Sequence, residues 1–236
     1  MLKKYFALFI FVAGVNFAQP QFGSIAKFGM AAGFSPVWIM PNLNALNSKA
    51  ESIGAGSFSN SGMFAWGGGG YAYVLFIKNL RMGGMGYGGS TSTSSDNSQI
   101  DFSTSGGAFT IEYTLPFVRK IDVSFGLMIG GGSQTISVYS NDGNFNWDGI
   151  WNNVGKDSTG SYQEVLENSF FTLAPTLNID LPLNRFLMFR IGGGYIFALG
   201  EEWTAANDKP VSGVPSDLNG NSFFIQTGIY FGFFAF

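Results

Sequence analysis

The chain has 236 residues, of which 46% are hydrophobic and only 11% charged, with 34 glycines, 26 phenylalanines and no cysteine or histidine. That composition excludes disulfides, thiolate chemistry, His-based metal sites and histidine-containing catalytic triads. A net charge of −3 argues against a nucleic-acid partner.

In chain order, MLKKYFALFIFVAGVNFAQ comes first. Lys3 and Lys4 form a basic start, Tyr5 to Val15 an apolar core, and Ala18 a small residue before a cut, which predicts a signal peptide over 1–18. The apolar stretch is shorter than the roughly 20 residues of a membrane-spanning helix. Residues 19–236 then read as one domain.

Eight strands are predicted there: about Phe22–Phe34, Met63–Ile77, Leu80–Gly89, Phe102–Leu115, Ile121–Tyr139, Ser169–Leu181, Phe186–Leu199 and Ser222–Phe236. The fifth shows strict period-2 alternation, with Ile121, Val123, Phe125, Leu127 and Ile129 against Asp122, Ser124, Gly126, Met128 and Gly130. In the sixth, Phe171, Leu173, Leu177, Ile179 and Leu181 oppose Thr172, Ala174, Thr176, Asn178 and Asp180. The connections run long, short, medium, short, long, short, long. The medium one is the polar run STSTSSDNSQ, and the long ones are about Ser35–Gly62, Ser140–Asn168 and Gly200–Asn221. Membrane barrels sort their connections in this way, with short periplasmic turns and longer outer loops. The fold expectation is therefore all-β: a closed antiparallel up-and-down transmembrane barrel of eight strands, or ten if Ser35–Gly62 hides a hairpin around Val37–Met40. The rival is a soluble lipocalin-like barrel with its apolar side chains pointing inward.

The signal peptide, the alternating strands, the loop asymmetry and the terminal Phe236 resemble the small outer-membrane β-barrel family of the OmpA and OmpX transmembrane-domain type. The resemblance covers roughly Phe22 to Phe236 and is architectural rather than a motif. It implies residence in the outer membrane of a Gram-negative-type bacterium and contact with outer-membrane lipid. It also implies insertion by the barrel-assembly machinery, with terminal aromatics such as Phe234 and Phe236 as the signal, and no enzyme activity or cofactor.

Charged residues on the strands belong on the parity facing the lumen, because an Arg at the lipid midplane costs about 2–4 kcal/mol. Lys27, Arg81, Glu112, Asp122, Asp180 and Arg190 all fall in the half near the short turns, so they are expected to form a lumenal ion-pair network that plugs or gates the barrel. Arg190 with Asp180 is the best single pair.

The outer loops are acidic and carry tryptophan. NDGNFNWDGIWNN places Trp147 and Trp151 beside Asp148, and GEEWTAAND holds Trp203. Exposed Trp beside amides and carboxylates suits an extracellular glycan or protein ligand, whereas interface anchoring would use the same residues, Trp38 among them, to structural ends. The D-G-N-F-N-W-D run only hints at Ca²⁺, since it lacks the EF-hand pattern, and no metal site is expected. The glycine triplets lack the Lys-Ser/Thr ending of a phosphate loop.

The leading function is a non-enzymatic structural or surface-interaction protein. The alternative is a narrow channel or small-solute carrier gated by the lumenal network. An enzyme acting on surface lipids is disfavoured by the missing histidine. In the last strand both parities are aromatic, so either a β-bulge near Gly232 switches faces or one aromatic set points into the lumen. The reading adopted is the bulge, displacing Phe231 and Phe233 from the lumen.

Overall fold

The computed structural model describes residues 28–116, 118, 121–141, 161–205 and 208–235. They form strands β1 (Phe28–Phe34), β2 (Val37–Pro41), β3 (Met63–Tyr73), β4 (Leu80–Ser94), β5 (Ser98–Thr114), β6 (Asp122–Asn141), β7 (Ser161–Pro182), β8 (Leu187–Ala205), β9 (Lys209–Pro210) and β10 (Ser222–Ala235), with helix α1 (Asn44–Ser52) between β2 and β3. All pairings are antiparallel, and the order closes on itself: β3 to β8 pair in sequence, β8 pairs with β10, and β10 returns to β1 and β2, which both pair with β3.

β1 and β2 are one stave. Phe34 pairs with Ile229 and Val37 with Gln226, so the register runs through Ser35–Pro36 without a shift. Pro36 has no N–H to give to the ladder, but its carbonyl accepts from Thr227 N at 3.1 Å. The ring therefore has eight staves. The hairpin entertained around Val37–Met40 does not exist; that segment is the upper half of the first stave.

Side-chain orientation decides between membrane and soluble barrel. Along β6, Asp122, Ser124 and Met128 are buried while Phe125 is 57% exposed; along β10, Phe223, Ile225, Ile229, Phe231 and Phe233 are exposed while Phe224, Gln226, Tyr230 and Phe234 are buried. The apolar parity faces out and the polar parity in, the reverse of a lipocalin and the pattern of a membrane barrel.

Above a belt of small residues this pattern inverts. On the outer faces of β4 to β7 the large apolar residues give way to Ser90, Ser105, Ser133 and Ser169. On the inner faces Ile100, Phe102 and Ile136 are buried. β6 and β7 run to 20 and 22 residues, about twice what a tilted strand needs to cross a bilayer. β4 to β8 thus continue past the membrane as a wall, polar outside and apolar inside like a soluble sheet. The run STSTSSDNSQ is mostly strand, not loop: Ser94 pairs with Gln99 and Ser92 with Asp101.

The wall's inner face is covered. α1 turns Leu46 and Ala50 into the core with Leu43 and Phe58, against Ile100, Ile136, Trp203 and Leu218. Asn47 clasps the helix to the following segment: its side-chain amide donates to Phe58 O at 3.1 Å, and its oxygen accepts from Phe58 N at 2.7 Å.

The sequence expectation for the last strand fails here. No bulge occurs at Gly232. β10 pairs with β1 in one register from Ile229 to Ala235, so the aromatic set turned inward is Tyr230 with Phe234, and Phe231 and Phe233 face lipid. A shift occurs instead in β8: Phe171 pairs with Leu199 but Ser169 with Glu202, one residue extra on β8. Gly200 there has φ +70, a conformation glycine adopts without penalty. The shift rotates Trp203 from the outer to the inner face.

Candidate functional site

Near the short turns, four charged side chains of the described residues meet across the lumen. Arg81 and Glu112 are direct cross-strand partners on β4 and β5; Asp180 and Arg190 are direct partners on β7 and β8. Each arginine then reaches the carboxylate of the other pair. Arg81 contacts Asp180 at 2.6 Å and Glu112 at 2.8 Å. Arg190 contacts Glu112 at 2.9 Å and Asp180 at 2.7 Å. The result is a closed, neutral ring of alternating charge spanning the barrel. All four residues are buried, Arg81 and Asp180 completely.

Charges so far from water persist only when paired and hydrogen-bonded, and the four ring charges meet that condition at every polar atom but Arg81 Nε. Arg81 also donates to Ser124 Oγ at 2.6 Å. Arg190 grips Asp180 with two parallel bonds, Nε to Oδ1 at 2.7 Å and a terminal nitrogen to Oδ2 at 2.9 Å, the bidentate geometry that only a guanidinium provides. Glu112 accepts from Asn178 at 3.2 Å, Asn178 from Gln226 at 2.8 Å, and Gln226 from Ser35 at 3.4 Å, so a polar chain runs from the ring to the first stave.

Aromatic faces close the ring below. The Tyr71 ring lies 4.6 Å from the Arg81 guanidinium and 5.0 Å from that of Arg190, and Tyr230 lies 5.1 Å from Arg190. Such desolvated cation–π contacts contribute up to about 2 kcal/mol each. Tyr71 and Tyr230 belong to a cluster with Tyr73, Met188, Ala31 and Phe234 at the short-turn end. Above the ring is a cavity of about 10 Å³, room for about one water. Glycines make the space: a Cβ at Gly192 would run into Asn178 Oδ1, and one at Gly126 would sit 2.6 Å from Thr176 Oγ1 and 3.0 Å from Glu112 Cγ.

Of the six residues proposed from sequence, Arg81, Glu112, Asp180 and Arg190 meet in the ring. Asp122 is buried beside it, opposite Asp180 across β6 and β7, and accepts from Tyr73 Oη at 3.5 Å. Lys27 lies outside the described residues. Of the loop candidates, Trp147, Asp148 and Trp151 also lie outside them, as does the run read for Ca²⁺. Trp203 is not on a loop: it sits on β8, buried against the wall, because of the Gly200 shift. Trp38 faces outward on β2 and donates to Ser61 O at 2.8 Å. Phe234 points into the lumen and Phe236 is outside the described residues. The residues not foreseen are Tyr71, Tyr230, Asn178, Gln226 and Ser35. Their signal was inward parity at the height of the charges, masked in the tyrosines by an aromatic character that suits lipid equally well.

An eight-stave antiparallel ring, apolar outside and charged within, defines a small β-barrel of the outer-membrane type. Among solved structures the chain is similar to a major outer membrane protein from Thermus thermophilus, at 8% identity and a TM-score of 0.50 over 87% of this chain and 99% of that one. It is also similar to Ail, the attachment invasion locus protein of Yersinia pestis, crystallised with the heparin analogue sucrose octasulfate, at 11% identity and a TM-score of 0.47 over 88% of this chain and 99% of that one. No family model and no curated protein sequence matches the chain.

Proposed function

We propose that this chain is a non-enzymatic outer-membrane barrel whose working surface is the wall and loops at its outer end, and whose lumen is a plug. The single observation that carries the reading is the cross-section at the ring: four paired charges backed by tyrosines, with a cavity of only about 10 Å³ beside them. An eight-stranded barrel is just wide enough for side chains to fill. The channel reading would require that ring to open.

In this reading residues 1–18 direct export and are removed, the barrel-assembly machinery inserts the remainder, and the long loops face outward. The acidic, Trp-bearing segment Asn141–Asn153 then contacts an extracellular glycan or protein. The test is an array of glycans and matrix proteins probed with the protein in lipid nanodiscs. Binding to a defined subset, lost in a Trp147→Ala, Trp151→Ala double variant that still forms the barrel, supports the reading. Binding unchanged in that variant assigns the contact elsewhere.

A further inference from the structure

A second cavity, separate from the ring, lies at the outer end between α1, the wall and the segment leading into β10. Its volume is about 300 Å³, and its lining includes Leu46, Ile100, Val138, Leu166, Trp203 and Val214, within the size range of small-molecule sites. Beyond these, the lining is apolar or small except for Ser52, Ser212 and Lys49. Lys49 is exposed on α1 and makes no ion pair among the described residues. Among the described residues the one charged wall residue of this apolar chamber is a solvent-facing ammonium, which complements a molecule with an apolar body and an anionic head.

We infer that this chamber binds a medium-chain amphiphile carrying a carboxylate, the chain packed against Trp203 and the head at Lys49. The assignment does not depend on the loop reading above, since none of these residues lies in Asn141–Asn153. Each CH₂ of an alkyl chain gains by leaving water, so the chain supplies the affinity and Lys49 the head-group preference.

Trp203 is a built-in reporter. A variant with Trp38, Trp66, Trp147 and Trp151 changed to Phe keeps it as the sole indole. In nanodiscs, titration with a terminally brominated dodecanoate should quench it saturably, and excess dodecanoate should reverse the quenching. Lys49→Gln should weaken binding about fivefold, the upper range for an exposed ion pair, and should abolish preference over the matching trimethylammonium amphiphile. Val138→Phe, which fills the chamber, should remove the saturable phase while the barrel still shifts mobility on boiling. Quenching that rises linearly and equally in the Val138→Phe variant is membrane partitioning and overturns the assignment. Saturable quenching indifferent to the head group overturns the role of Lys49.

Discussion

At the scale of single residues, the four charges in the lumen act as a unit. Glu112 accepts from both guanidiniums, at 2.8 Å and 2.9 Å. Glu112→Gln leaves two buried cations sharing one carboxylate. Removing one partner from a buried ion pair costs about 3–5 kcal/mol, so urea unfolding of the refolded barrel should show a loss of that order. Replacing all four ring residues with Met or Leu removes charge and desolvation together and should cost less than the single change. A quadruple variant less stable than Glu112→Gln would mean the ring's charges contribute net stability. The pairing itself was legible in the sequence: Asp180 and Arg190 flank a four-residue turn, and cross-strand register did the rest. Tyr230 was not legible, because an aromatic side chain suits lipid and a cation equally and alternation alone does not break the tie.

At the scale of elements, α1 is too short to hold itself. Nine residues are too few for a stable isolated helix, and its N-cap residue, Leu43, makes no side-chain capping bond, leaving Asn42 Oδ1 to accept from Asn44 N at 3.1 Å. It persists by packing Leu46 and Ala50 and through the Asn47 clasp on Phe58. Asn47→Ala leaves the buried Phe58 N–H unpaired, at a cost of about 1–3 kcal/mol. Limited proteolysis should then cut between α1 and β3 while β4 to β8 stay resistant; uniform resistance would show that packing alone holds the helix. The wall strands explain another sequence miss. Alternation reveals a strand when apolar and polar residues contrast, but Ser90–Ser94 alternates Ser with Thr, so a regular strand reads as a loop. The Gly200 shift was hidden by the abundance of glycine, since 34 such residues give no reason to single out one.

At the scale of the whole molecule, the reversal of inside and outside at the Ser105–Ser133–Ser169 belt fixes where lipid ends. The chain has no cysteine, so single cysteines report position cleanly. On intact cells an impermeant maleimide should label Ser92→Cys, on the wall, and spare Asn184→Cys, in the turn between β7 and β8, until the envelope is opened. Labelling of both sites on intact cells, or the reverse preference, would invert or refute the orientation. The eight-stave architecture was readable from loop lengths and alternation, because both follow from the bilayer itself. Whether the lumenal network plugs or gates was not, because that depends on which side chains meet across the barrel.

The proposed plug is tested most directly by conductance. Purified, refolded barrel added to a planar lipid bilayer should give no steady current, with insertion verified by protease protection of the turn end. A stable ohmic conductance from the unmodified protein would contradict the plug and return the ring to the role of a gate.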